Sequence, residues 1–169
     1  GVLNVFIALD DILIRNSQLA SGLEDLVLTH ILPEFNSEIG FMRAKACQVF
    51  QHLYEIRFTS MENLQLVLKG IVDCLSDCDL PVRVEASSAL GYILKLKQAK
   101  EIIKPFLGEI IEKYISIMGE AEADVSVVAL TTLIQRFRKD VVPYLVDVVA
   151  SLAATMSNAF DAAVEGDDD

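Results

Sequence analysis

The stretch "CLSDCDLPVRVEASSALGYIL", residues 74–94, decides how this chain folds. A polar turn around Asp77 leads into Pro81, and then Val82, Ala86, Ala89 and Leu90 follow at three- and four-residue spacing, the period of a helix with one apolar face. The same spelling stands about 40 positions upstream in "NSEIGFMRAKACQVFQHL", residues 36–53, where Met42-Arg43, Ala46 and Phe50 take the places of Val82-Arg83, Ala86 and Leu90. It stands again about 43 positions downstream in "EAEADVSVVALTTLI", residues 120–134, with Glu120, Val125, Ala129 and Leu133 in the places of Asp77, Val82, Ala86 and Leu90. A second phrase also recurs: "PFLGEIIEKYISIM", residues 105–118, returns as "PYLVDVVASLAATM", residues 143–156. A chain that repeats at this interval is one supersecondary unit stacked on itself.

Helical periodicity runs throughout, and no segment alternates like a strand. Punctuation divides the chain into about eight helices, read as residues 1–15, 19–33, 41–56, 61–76, 81–96, 100–119, 124–138 and 141–160. The connectors are short, which makes neighbouring helices antiparallel. Turn and second helix resemble the HEAT repeat, whose two-helix unit has this length. The expected fold is therefore all-α, an α-α superhelix of the HEAT-repeat solenoid kind. Residues 1–160 form the repeat segment: a first helix, hairpins 19–56, 61–96 and 100–138, and an unpaired helix 141–160. Residues 161–169 form an acidic loop. Small residues such as Ala46, Ala86 and Ala89 allow second helices to pack closely, and Leu and Ile fill the seams. Pro105 and Pro143 fall in the opening turns of their helices, where a missing N–H costs little. Ser60 and Asp140 are the expected N-caps of the helices that follow them.

Composition narrows the class. The 169 residues are 53% hydrophobic, with a mean hydropathy of +0.42. Charged and polar residues interrupt every apolar run before the ~20 residues a spanning helix needs. The first residues lack a basic leader and a small-residue cleavage site, so no signal peptide is expected. Formal net charge is −11; without the acids of "DAAVEGDDD" it is about −6. That balance disfavours nucleic acid, whose binding runs on phosphate neutralisation by Lys and Arg, and suits basic partner proteins. Three cysteines, Cys47, Cys74 and Cys78, do not make a disulfide framework; they read as small apolar residues in a reduced interior. His30 and His52 lack partners at metal spacing and read as structural histidines.

No catalytic constellation emerges. Glycines are scattered, without a phosphate-binding loop, and nothing suggests a nucleophile elbow. The paired carboxylates Asp10-Asp11 and Glu24-Asp25 are adjacent on helices, point in different directions, and read as solvated faces. No enzyme activity and no cofactor or metal are expected. Asp77 and Arg83 read as structural, Asp77 accepting turn N–H groups and Arg83, like Arg43, pairing in a ladder along the stack. Losing Asp77 as lost caps are lost is expected to cost about 1–2 kcal/mol.

"LPEFNSEIGFMRAKACQVFQHLYEIRF", residues 32–58, is more specific than repeat grammar. It resembles the middle of nuclear transport receptors of the importin-beta (karyopherin-beta) superfamily, most of all the branch of importins seven and eight and their yeast relatives. The run Gly40-Phe41-Met42-Arg43-Ala44 is its most distinctive part. The flanking segments fit in the same order, and the last helix running into an acidic stretch fits as well. Measured against a full-length receptor the chain reads as an internal fragment, and exposed apolar ends lead to an expectation of self-association through them.

The resemblance implies a protein-binding segment of an import receptor that carries basic cargo under RanGTP control. Second helices would line the cargo surface, and grooves between first helices would take phenylalanine-glycine repeats of pore proteins, with the groove between helices 100–119 and 141–160 as candidate. Candidate contacts for cargo or Ran are Glu165, Asp167, Asp168 and Asp169, with Glu120, Glu122 and Asp124 adding to the same field. The implied location is cytoplasm and nucleus, with shuttling between them. The alternative is a HEAT scaffold subunit of a phosphatase or chromosome-associated complex.

Overall fold

Apolar stripes at helical spacing become the buried faces of stacked rods. The computed structural model describes residues 2–120 and 123–165. Among these, α1 (Val2–Ala8) and α2 (Asp10–Arg15) are followed by α3 (Ser17–His30), α4 (Gly40–His52), α5 (Met61–Cys74) and α6 (Leu80–Ile93). Then come α7 (Lys97–Ile103), α8 (Leu107–Glu120), α9 (Ala123–Phe137) and α10 (Leu145–Glu165). The described chain is all-α, with no strand. Two of the expected rods are interrupted: α1 and α2 meet at Leu9, and α7 and α8 meet at a 3-10 turn, Lys104–Phe106.

Second helices form one layer, in which α1 packs on α4, α4 on α6 and α6 on α9. First helices form the other, with α5 against α7 and α8 against α10, while α5–α6 and α8–α9 close as hairpins. Ala46 and Ala86 are fully buried and Ala129 is 5% exposed, so the recurring alanine lies where neighbouring second helices meet. Phe50, Leu90 and Leu133, the recurring large residues, are completely enclosed. Each contributes about 1.5–3 kcal/mol of burial, and the small residue beside it lets the backbones approach.

The recurring prolines stand just ahead of their helices. Pro105 lies in the 3-10 turn before α8, and Pro143 in the 3-10 segment Arg138–Tyr144 before α10. The helix read as starting at 141 thus starts at Leu145, because the proline ring and its missing N–H suit a tighter lead-in. At its other end α10 runs past residue 160 to Glu165. Ser60 accepts from the Asn63 N–H at 3.4 Å and caps α5. Asp140 is no cap: it sits within the 3-10 segment and pairs with Lys104 at 2.9 Å.

Two close approaches set the layer spacing. A Cβ on Gly70 would run into the ring of Phe35, which stacks on Phe50 with centroids 5.9 Å apart. A Cβ on Gly108 would meet the Tyr144 hydroxyl at 2.8 Å. Between α6 and α8, the buried Tyr114 hydroxyl donates to the Ser87 carbonyl at 2.6 Å, and burial pushes its pKa up. Among the described residues, no helix is long and apolar enough to cross a membrane.

Candidate functional site

Polar side chains at the turns join one repeat to the next. From the first turn of α4, Arg43 donates through Nε and Nη2 to the two oxygens of Asp77, at 2.6 and 2.8 Å. The same guanidinium donates to the Ser37 carbonyl at 2.8 Å and to Asp79 at 3.1 Å. Asp77 also accepts the Asp79 N–H at 2.9 Å. The Arg43 hydrogen bond, with the adjacent positive charge, holds the Asp77 carboxyl below the usual range despite burial. Asp77 therefore ties the turn to the preceding second helix, and α6 has no side-chain cap from Asp79.

One repeat on, Arg83 donates through Nη1 and Nη2 to Glu120 at 3.2 and 2.7 Å. The hydrogen bond from Arg83 lowers the Glu120 pKa. Glu120, a candidate contact for basic cargo or Ran, is engaged with Arg83 and also accepts from Ser116 Oγ at 3.3 Å. Its side chain stays 48% exposed. The other candidates lie at the edge of what is described. Asp124 lies in the first turn of α9 and Glu165 ends α10, while Glu122, Asp167, Asp168 and Asp169 lie outside the described residues.

Glu24 escaped the sequence reading. Taken for part of a solvated face, it is 5% exposed. Its carboxylate accepts from Thr59 N at 2.8 Å, Thr59 Oγ1 at 2.5 Å, Ser60 N at 3.3 Å and Asn63 Nδ2 at 2.7 Å. Burial alone would raise its pKa, but these donors outweigh that and bring it to about 2. The signal was the run "RFTSMEN", rich in donors at a helix start. What the run does not contain is the carboxylate that gathers those donors, since Glu24 comes from a different repeat. Asp10 and Asp11 are likewise engaged, Asp10 3.0 Å from His52 Nδ1 and Asp11 3.2 Å from Arg15.

For metal the chemistry is unfavourable. Donor atoms of Asp77, Cys78 and Asp79 lie within 4.8 Å of one another, but the Arg43 guanidinium already stands among them. Cys47 and Cys74 are buried and free, and Cys78 is exposed.

Space for a partner side chain lies between first helices. A cavity of about 660 Å³ opens between α5 and the α7–α8 turn, walled by Leu68, Val72, Ile102, Pro105 and Phe106. Phe106 is 54% exposed. Lys69, Asp73, Glu109 and Lys113 line it too. In the neighbouring groove, toward α10, Tyr144 lies against Gly108.

Known proteins match this chain along most of its length. A probable importin-7 homolog of Dictyostelium discoideum is 35% identical over 153 residues, 90% of this chain. Mouse importin-8 is 30% identical over 158 residues, and an Arabidopsis thaliana importin beta-like SAD2 homolog is 29% identical over 149. The chain belongs to the importin-beta family. It spans 14–15% of the length of these relatives. No family model matches it, and no solved structure does. In this importin-family chain the arginine joints and the Glu24 knot hold the stack, while the cavity beside Phe106 and the face of the second helices remain open.

Proposed function

We propose that this chain is a protein-binding segment of a nuclear import receptor, carrying basic proteins through the nuclear pore and shuttling between cytoplasm and nucleus. The observation that carries the reading is the importin match over nine-tenths of the chain. Net charge of −11 supports a basic cargo. The cavity beside Phe106 has the apolar walls and the size to take one phenylalanine ring of a pore-protein repeat, and it replaces the groove between α8 and α10 as the candidate. RanGTP would release cargo by favouring a different curvature of a bendable stack. The acidic residues Glu165, Asp167, Asp168 and Asp169 are proposed to extend the negative field toward cargo or Ran.

The test is retention of the chain on immobilised phenylalanine-glycine repeats and on a basic cargo such as linker histone, with and without RanGTP. Retention on the repeats that falls when Phe106→Asp is introduced supports the pore-binding half. Retention on cargo that falls with added salt supports the charge argument. Indifference to repeats, cargo and RanGTP sinks the reading and favours a scaffold outside transport.

A further inference from the structure

A lysine held between two tyrosines is used by neither the repeat joints nor the cavity beside Phe106. Tyr54 lies in the turn after α4 and Tyr92 in the last turn of α6; their ring centroids are 5.6 Å apart at 40°. Lys95 places its ammonium 3.7 Å from the Tyr54 centroid and 4.6 Å from that of Tyr92. Both distances are within the range at which a cation is drawn to a ring face.

The surroundings also favour positive charge. α4 and α6 run side by side in the same direction: Arg43 near the start of α4 meets Asp77 just ahead of α6, Gln51 in the last turn of α4 meets Glu85 midway along α6, and Tyr54 meets Tyr92 at their ends. Two helix C-termini therefore converge on the rings, each presenting carbonyls and the negative end of its dipole. Glu55 lies beside Tyr54 and, with Asp11 farther off, raises the Tyr54 pKa together with burial.

The occupant is loosely tied. Lys95 is exposed, and among the described residues it forms no salt bridge. It also walls two cavities at once. One, of about 600 Å³, is lined by Glu55, Phe58 and Met61. The other, of about 520 Å³, runs between α6 and α9 past Gln51, Ser88 and Val128. Tyr92 walls the second cavity and Tyr54 the first, so the ring pair stands where the two meet at Lys95.

We propose that Tyr54 and Tyr92 form a receptor for a lysine or arginine side chain of a basic partner protein, with Lys95 as an internal stand-in that the partner displaces. The proposal rests on the reading of the chain as a carrier of basic proteins. It adds where one cationic side chain is read and what competes with it.

A fluorescent peptide of alternating lysine and glycine, titrated into the full 169-residue chain and followed by anisotropy, tests it. Lys95→Met keeps the apolar stem and removes the competitor, and is expected to tighten binding about threefold. Lys97→Met makes the same change of charge on an exposed lysine outside the ring pair, and is expected to do less. Adding Tyr92→Leu to Lys95→Met, with an unchanged melting curve, should abolish the gain, and the peptide with acetylated lysines should show none. Equal gains from Lys95→Met and Lys97→Met, or a gain that survives Tyr92→Leu, overturn the receptor while leaving the carrier reading in place. A peptide that binds no variant overturns both.

Discussion

Glu24 and Glu120 both close a joint between repeats, and they do it in opposite surroundings. Glu24 is 5% exposed and receives four hydrogen bonds. Glu120 is 48% exposed and accepts from one guanidinium, whose Nε is buried without a partner, and from Ser116 Oγ. The arginines differ in the same way: Arg43 is shared among Asp77, Asp79 and a carbonyl, whereas Arg83 turns the end of its fork to Glu120. Farther on, Lys104 and Asp140 pair in the open. The joint at Glu24 is thus enclosed and multiply bonded, while the acids Glu120 and Asp140 of the later joints stay partly exposed. A partner arriving at the second half finds acids whose present bonds are cheap to exchange, since exposed pairs contribute little.

The largest effect should come from Glu24→Ala, which takes the shared acceptor from four hydrogen bonds at once. A loss of about 3 kcal/mol is expected in denaturant unfolding, and a loss below about 0.5 kcal/mol would erase the contrast with Glu120. pH sharpens the same point. The Glu24 pKa is depressed from 4.5 to about 2. Its stabilisation is therefore complete above the unfolded value and disappears as pH falls from about 4.5 toward 2. Asp77 and Glu120 are also lowered and act with the same sign. The diagnostic is the difference between parent and Glu24→Gln, which should be steepest in that window and flat above it.

Asp77→Ala is expected to rank next, at about 2 kcal/mol, because Arg43 keeps Asp79 and the Ser37 carbonyl. Thermal melting should then drop by about 4–8 °C. Glu120→Ala should shift melting by only about 1 °C, with any difference lost in high salt. A drop as large as that of Asp77→Ala would show the second joint to be as strong as the first. Lys104→Ala should be the mildest of the set, within scatter of the parent melting temperature at physiological salt.

How much of this was legible depended on distance along the chain. Ser60 as a cap, the recurring alanines and the paired prolines are local signals read within one turn or one repeat. Arg43, Asp77 and Arg83 were visible as repeat positions, because the unit recurs about every 40 residues. Glu24 was misread and the Tyr54–Lys95–Tyr92 cluster went unnoticed, since each depends on partners brought in by stacking. Asp140 looked like a cap by position, but the helix starts later and Lys104 is near enough to claim it.

Sequence alone determined the class of fold and the place of each recurring residue in it, because an apolar stripe of helical period has one way to leave water and a repeat must leave it again beside the last. Only the stacked structure decided which acids are dry and held and which stay open to exchange. Burial and hydrogen-bond partners belong to neighbouring rods, and a carboxylate takes its pKa and its worth from them.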